Sequence, residues 1–121
     1  MLLEGLYSLI NKTENDGSIS YTIELNENHD IFKGHFPGSP ILPGVCSLQI
    51  LKACCEDYLT KPLQYVSISS CKYINTVDPT VNKIISFNFT LTPNDNQFQL
   101  VATGIMGDAK FIKLKAVLVA E

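Results

Sequence analysis

"KGHFPGSPILPGVCSLQIL", residues 33–51, joins a proline and glycine loop to an apolar run, and the rest of the fold is arranged around that junction. Pro37, Pro40 and Pro43 recur every three residues, the repeat of a polyproline II turn, while Gly34, Gly38 and Gly44 permit close backbone approach between them. The pattern predicts a stiff loop. Beyond it, a proline at or near the first turn and the terminator "TKP" after Leu59 bracket a helix from Pro43 to about Leu59. Between Val45 and Cys55 only Ser47, Gln49 and Lys52 interrupt the apolar residues, so this helix belongs inside something.

The flanking segments supply what encloses it. Ile19, Tyr21, Ile23 and Leu25 alternate with Ser20, Thr22 and Glu24, a strand with one wet face. "ENDGS" just before carries the Asp-Gly hairpin signal, which makes residues 6 to 12 its antiparallel partner. After the helix, Tyr65 to Ile74 reads as a strand, and Ile85, Phe87, Phe89 and Leu91 alternate in the next. "TPNDNQ" turns the chain into Phe98, Leu100 and Ala102, and "MGDA" into Ile112, Leu114, Ala116 and Leu118, with Lys113 and Lys115 on the opposite face. The expectation is a single α+β domain over residues 1–121, a curved antiparallel sheet wrapped around one long helix. Such a sheet covers the helix on one side, so a second protomer is expected to complete its burial.

Composition narrows the function. The chain has 121 residues, 45% apolar and 17% charged, enough for a domain that buries about two thirds of its unfolded surface. All nine bases are lysine against twelve acids, giving a net charge of −3. Without arginine or a lysine run, a nucleic-acid partner is not expected. No apolar run approaches the roughly 20 residues of a membrane span, and Glu4 breaks the opening "MLLEGLYSLI", so no membrane role and a cytoplasmic location are expected. Cys46, Cys54, Cys55 and Cys71 form no CxxC pair and read as buried small hydrophobes, with no metal or other cofactor implied. His29 reads as a surface or hairpin-end residue, and Tyr21, Tyr65 and Tyr73 as core or interface packing.

The candidate chemistry lies at His35. A stiff loop that aims an imidazole just before a helix start, where the amides of Gly44 and Val45 are free to receive negative charge, suits a reaction that builds charge on a carbonyl oxygen. On spacing alone a structural histidine stays open.

"GHFPGSPILPGV" resembles the signature of the hot-dog fold (3R)-hydroxyacyl-[acyl carrier protein] dehydratases. "NENHDIFKGHF" is similar to that family's approach to the histidine, and "CKYINTVDP" to its strand after the helix, so that the likeness covers most of residues 17 to 121. The chain is expected to begin directly at the first hairpin, without the family's usual N-terminal helix. The resemblance implies that His35 is the base taking a proton from C2 of the acyl group, and that the amides of Gly44 and Val45 hold the thioester oxygen. Phe36, Gly44 and Val45 are thereby the substrate-binding positions, and an apolar tunnel beside the helix would take the acyl chain. It further implies an acyl carrier protein or coenzyme A thioester as substrate, a place in fatty acid biosynthesis, and sites at a dimer interface with histidine and acid from different chains.

Gln49 departs from the pattern: it occupies the position of the Glu or Asp that protonates the leaving 3-hydroxyl. An amide has no such proton, and general acid assistance is worth about 10²- to 10⁴-fold. Glu56, seven residues further, lies about 10 Å along the axis, and Cys46 is a poor donor. A homodimer would then have slow sites in which Gln49 is a polar ligand to the 3-hydroxyl, whereas a heterodimer with a related hot-dog subunit that retains its acid would restore one competent site. The alternative is a non-catalytic acyl-thioester-binding subunit. "HFPGSP" speaks against the thioesterase branch of the fold.

Overall fold

The computed structural model describes residues 4–33 and 40–121. The elements run β1 (Tyr7–Asn15), β2 (Ser18–Leu25), a single 3-10 turn (Asp30–Phe32), α1 (Gly44–Leu59), β3 (Leu63–Tyr73), β4 (Ile84–Asn94), β5 (Gln97–Met106) and β6 (Ala109–Ala120). All six strands form one antiparallel sheet in the order β1-β2-β4-β5-β6-β3. The first hairpin turns where Asp16 (φ 52°) and Gly17 (φ 82°) take the left-handed conformation, which the Asp-Gly pair accommodates at low steric cost. β1 extends to Asn15 rather than stopping near residue 12, because its ladder with β2 continues to the turn.

The helix separates β2 from β3 in sequence, and the two strands end up far apart in the sheet, with β3 at one edge beside β6. α1 buries Cys46, Ser47, Ile50, Leu51, Cys54 and Cys55 against the inner face. There all of them but Ser47 join Ile19, Tyr21 and Ile23 of β2, Ile85, Phe87 and Phe89 of β4, Leu100 of β5 and Phe111, Ile112, Leu114 and Leu118 of β6 in one core. Each such side chain, fully buried, contributes roughly 1.5–3 kcal/mol. Phe87 and Phe111 meet edge to face with ring centroids 5.6 Å apart. Gly104 of β5 makes room for the Phe111 ring, since a β-carbon there would stand 2.7 Å from Phe111 Cε1 and 2.7 Å from Ile112 Cγ2.

The opposite side of the helix stays open: Val45 is 60% exposed, and Gln49 and Asp57 on the same side are also exposed. The helix ends at Thr60, which adopts the left-handed conformation (φ 54°) and donates its amide to the Glu56 carbonyl. The edge strand β3 leaves Val66 (51%) and Ile68 (42%) exposed.

Candidate active site

The start of α1 is built by what the sequence forbids there. Pro43 is the N-cap, at φ −60° and ψ 142°, and carries no side-chain cap. Cys46 donates its amide to the Pro43 carbonyl at 3.0 Å, while Gly44 and Val45 find no backbone acceptor among the described residues. Among the described residues, these two N–H groups at the positive end of the helix dipole thus have no backbone partner. The segment leading in is fixed by Leu42, whose amide donates to Val77 O at 2.8 Å, both residues being buried.

Gly44 is required for packing. Tyr73, at the end of β3, lays its ring on the Gly44 backbone, and a β-carbon at position 44 would lie 2.6 Å from Cζ and 2.8 Å from Oη. Burial and then a hydrogen bond with Cys71 push the Tyr73 phenol up to about 12, so it is neutral at physiological pH. Sequence reading placed Tyr73 among packing residues and missed that it borders the free amides; only the registration of β3 against the helix reveals it.

Gln49 lies one turn beyond Val45 on the open side of the helix, exposed. Neither neighbour supplies a replacement acid. Cys46 is buried, and burial raises its thiol. Glu56 accepts the Leu63 amide at 2.8 Å through Oε2, which ties it to the start of β3 at the other end of the helix. His35 and Phe36 lie outside the described residues, as does the first part of the loop read as stiff. Of the five site positions read from the sequence, Gly44 and Val45 open the first turn of α1, and Val45 and Gln49 lie on its exposed side.

The other groups weighed from the sequence are accounted for. His29 Nδ1 accepts the Ile31 amide at 3.0 Å, so Nε2 carries the hydrogen and donates to Glu4 O at 2.9 Å; the ring is a local cap. Tyr65 donates to Leu48 O at 2.7 Å, and Tyr21 to Asp57 Oδ2 at 2.5 Å. Burial drives the Cys54 thiol up to about 12 and the Cys55 thiol further, which leaves both un-ionised. Among the described residues no three His, Cys, Asp or Glu side chains gather as a metal site, and no helix is long and apolar enough to cross a membrane. A cleft of about 200 Å³ runs beside the open side of the helix, lined by Tyr7, Leu9, Tyr21, Ile23, Ala53 and Cys54, with Asp57 at its polar end.

Comparison with known proteins decides the family. A family described as ApeI-like, the ApeI dehydratase, matches residues 11–110. This chain belongs to the ApeI-like dehydratase family. Among curated relatives, the 3-hydroxyacyl-[acyl-carrier-protein] dehydratase FabZ of Pediococcus pentosaceus is 27% identical over 111 residues, covering 84% of this chain and 72% of that protein. FabZ of Fusobacterium nucleatum is 35% identical over 57 residues, 43% of this chain and 40% of the relative, so that match spans less than half of the relative's length. Among solved structures, the dehydratase heterocomplex ApeI:P from Xenorhabdus doucetiae aligns with a TM-score of 0.78 at 20% identity, over 93% of this chain and 96% of that one. The ApeI-like chain therefore has the hot-dog fold expected from the loop signature, with the sheet order and the long helix against its inner face described above.

Proposed function

We propose that this ApeI-like chain is one subunit of a dehydratase that removes water from a 3-hydroxyacyl thioester, and that it works beside a related hot-dog subunit supplying the acid. In this reading His35 takes the proton from C2, and its electron pair moves toward the thioester carbonyl, whose oxygen accepts hydrogen bonds from the Gly44 and Val45 amides. As the electrons return, the C2=C3 bond forms and the C3–O bond breaks. The oxygen leaves as water, with its proton from a carboxylic acid of the partner subunit. Gln49 binds the 3-hydroxyl or a water in the other, incomplete site. Phe36 and Val45 contact the acyl group, and the cleft between Leu9, Ala53 and Cys54 receives its apolar chain.

The observation that carries the reading is the pair of amides at Gly44 and Val45, which open the helix a few residues after the HFPG motif and have no backbone acceptor among the described residues. Donors aimed at a developing oxyanion are worth about 10²- to 10³-fold each. The open edge of β3, with Val66 and Ile68 exposed and Tyr73 at the helix start, offers the surface for the partner. The Xenorhabdus doucetiae relative, a dehydratase heterocomplex by description, favours a related but different partner.

The test is to assay the purified chain on a 3-hydroxyacyl thioester alone and with each companion hot-dog protein, together with His35→Ala and Gln49→Glu. Turnover is expected only in the mixture, lost with His35→Ala, and gained by the chain alone with Gln49→Glu. No turnover in any mixture and none from Gln49→Glu would overturn the dehydratase. The missing acid itself favours the second reading, a non-catalytic acyl-thioester-binding subunit. That subunit would bind the acyl ligand by calorimetry while His35→Ala left any residual turnover unchanged.

A further inference from the structure

The outer face of the sheet is charged very unevenly. In register, Lys72 of β3 stands directly opposite Lys113 of β6, and Ser70 opposite Lys115. On the other side of β6, Thr103 and Val101 of β5 face the same two lysines. All three lysines are exposed, and with Ser70, Val101 and Thr103 they line one shallow groove. The sequences of β3, β4, β5 and β6 contain not one Asp or Glu. The carboxylates that flank these strands along the chain, Asp78, Asp95, Asp108 and Glu121, fall in loops and turns and after the last strand. Among the described residues the ion pairs involve Lys12, Lys33 and Lys83, none of these three.

Like charges directly opposite on neighbouring strands are destabilising, and a protein of net charge −3 has carboxylates to spare for neutralising them. A stability-driven sequence would place one here. Lys72 also adjoins Tyr73, whose ring lies on Gly44, so the groove is on the far side of the strand that borders the free amides.

We propose that Lys72, Lys113 and Lys115 form the docking surface for an acidic protein, namely the carrier that presents the thioester, a partner that rests on the dehydratase reading. Adjacent strands are about 4.8 Å apart and same-face neighbours along a strand about 6.7 Å, so the three ammonium groups spring from a triangle of that scale. Carboxylates at positions i, i+3 and i+4 of a helix are about 5–6 Å apart and match it. The exposed Val101, beside Lys115 on β5, gives the contact an apolar edge. The patch is too small and too short of apolar anchors for stable adhesion to an anionic membrane, which needs a longer polybasic run or a second signal.

The test measures binding of an apo bacterial acyl carrier protein to the full chain by titration calorimetry at low and high salt. Lys72→Gln/Lys113→Gln/Lys115→Gln is compared with the control Lys61→Gln/Lys83→Gln. The expected result is a loss of about tenfold in affinity, with a flattened salt dependence, in the triple variant only. With acylated carrier as substrate, KM should rise by a similar factor while kinetics on a pantetheine thioester stay unchanged. A melting temperature equal to or above that of the unmodified chain shows that the variant folds. Equal carrier binding by all three proteins overturns the proposal, as does binding by the face to vesicles of phosphatidylglycerol and phosphatidylcholine without carrier binding. Carrier binding with no dehydration in any mixture would uphold the docking face and defeat the dehydratase. Unchanged KM for the carrier substrate in the triple variant would do the reverse.

Discussion

The Tyr73 ring lies on the backbone of Gly44, close enough that a β-carbon would stand 2.6 Å from its Cζ. This contact joins the last residue of β3 to the first residue of α1, and so couples the edge of the sheet to the amides on which the proposed chemistry depends. Gly44→Ala is expected to displace the ring and to cost about 1 kcal/mol, the low end for overpacking because a half-exposed ring can swing outward. Urea denaturation of Gly44→Ala and of Gly44→Ala/Tyr73→Ala checks it: the second variant should lose less than the two single changes added together.

Glu56 is a structural carboxylate. Its Oε2 receives the Leu63 amide at 2.8 Å, closing the turn from helix to β3. Glu56→Ala should destabilise the fold by about 1–2 kcal/mol by leaving that amide unsatisfied, whereas Glu56→Gln retains an acceptor and should cost less. In the mixture of subunits, kcat with Glu56→Gln should equal that of the unmodified protein. A fall with stability intact would make Glu56 the missing acid.

Tyr21 and Lys12 both donate to Asp57 Oδ2, at 2.5 and 2.9 Å, and hold its carboxyl below the usual carboxylate range, Tyr21 more strongly than Lys12. A folded-state pKa below the unfolded value of about 3.9 adds stability that is present above that value and vanishes as pH falls through the folded pKa. The carboxylate is half exposed, so screening limits the effect to roughly 1 kcal/mol. Thermal unfolding of Tyr21→Phe should therefore show its largest deficit near neutral pH, narrowing below about pH 4.

The cysteines divide by depth. Cys46, Cys54 and Cys55 are buried, and Cys71 at the edge strand is half-buried. Burial raises the Cys54 thiol to about 12, so the reactive thiolate is scarce in the folded protein. Reaction with a thiol-specific disulfide reagent should label Cys71 fastest in the native state and all four in urea. Rapid native labelling of Cys54 would contradict the packing.

Much of this arrangement is legible in the chain itself. The alternation of Ile19 to Leu25 and of Ile85 to Leu91, the Asp-Gly turn, and the span of the helix depend on side-chain period and local backbone preference, which neighbouring residues determine among themselves. The loop signature pointed to the family that the match over residues 11–110 establishes. The departure at Gln49 was equally visible, because it is a matter of residue type and spacing.

Other features depend on which distant segments meet. The apolar run from Val45 to Cys55 marked a helix to be covered by the sheet on one side only, and which residues face away from it, Val45 and Gln49 among them, is decided by how the helix docks on the sheet. That Lys72 faces Lys113, 41 positions away by number, follows from the register of β3 on β6. Sequence period dictates which face a residue takes, and so it determined the strands, the helix and the polar outer surface. Only the pairing of strands across the sheet decided that Tyr73 would rest on Gly44, and that three lysines would share a groove with no carboxylate among its described lining residues, since register is a property of two segments and not of either alone.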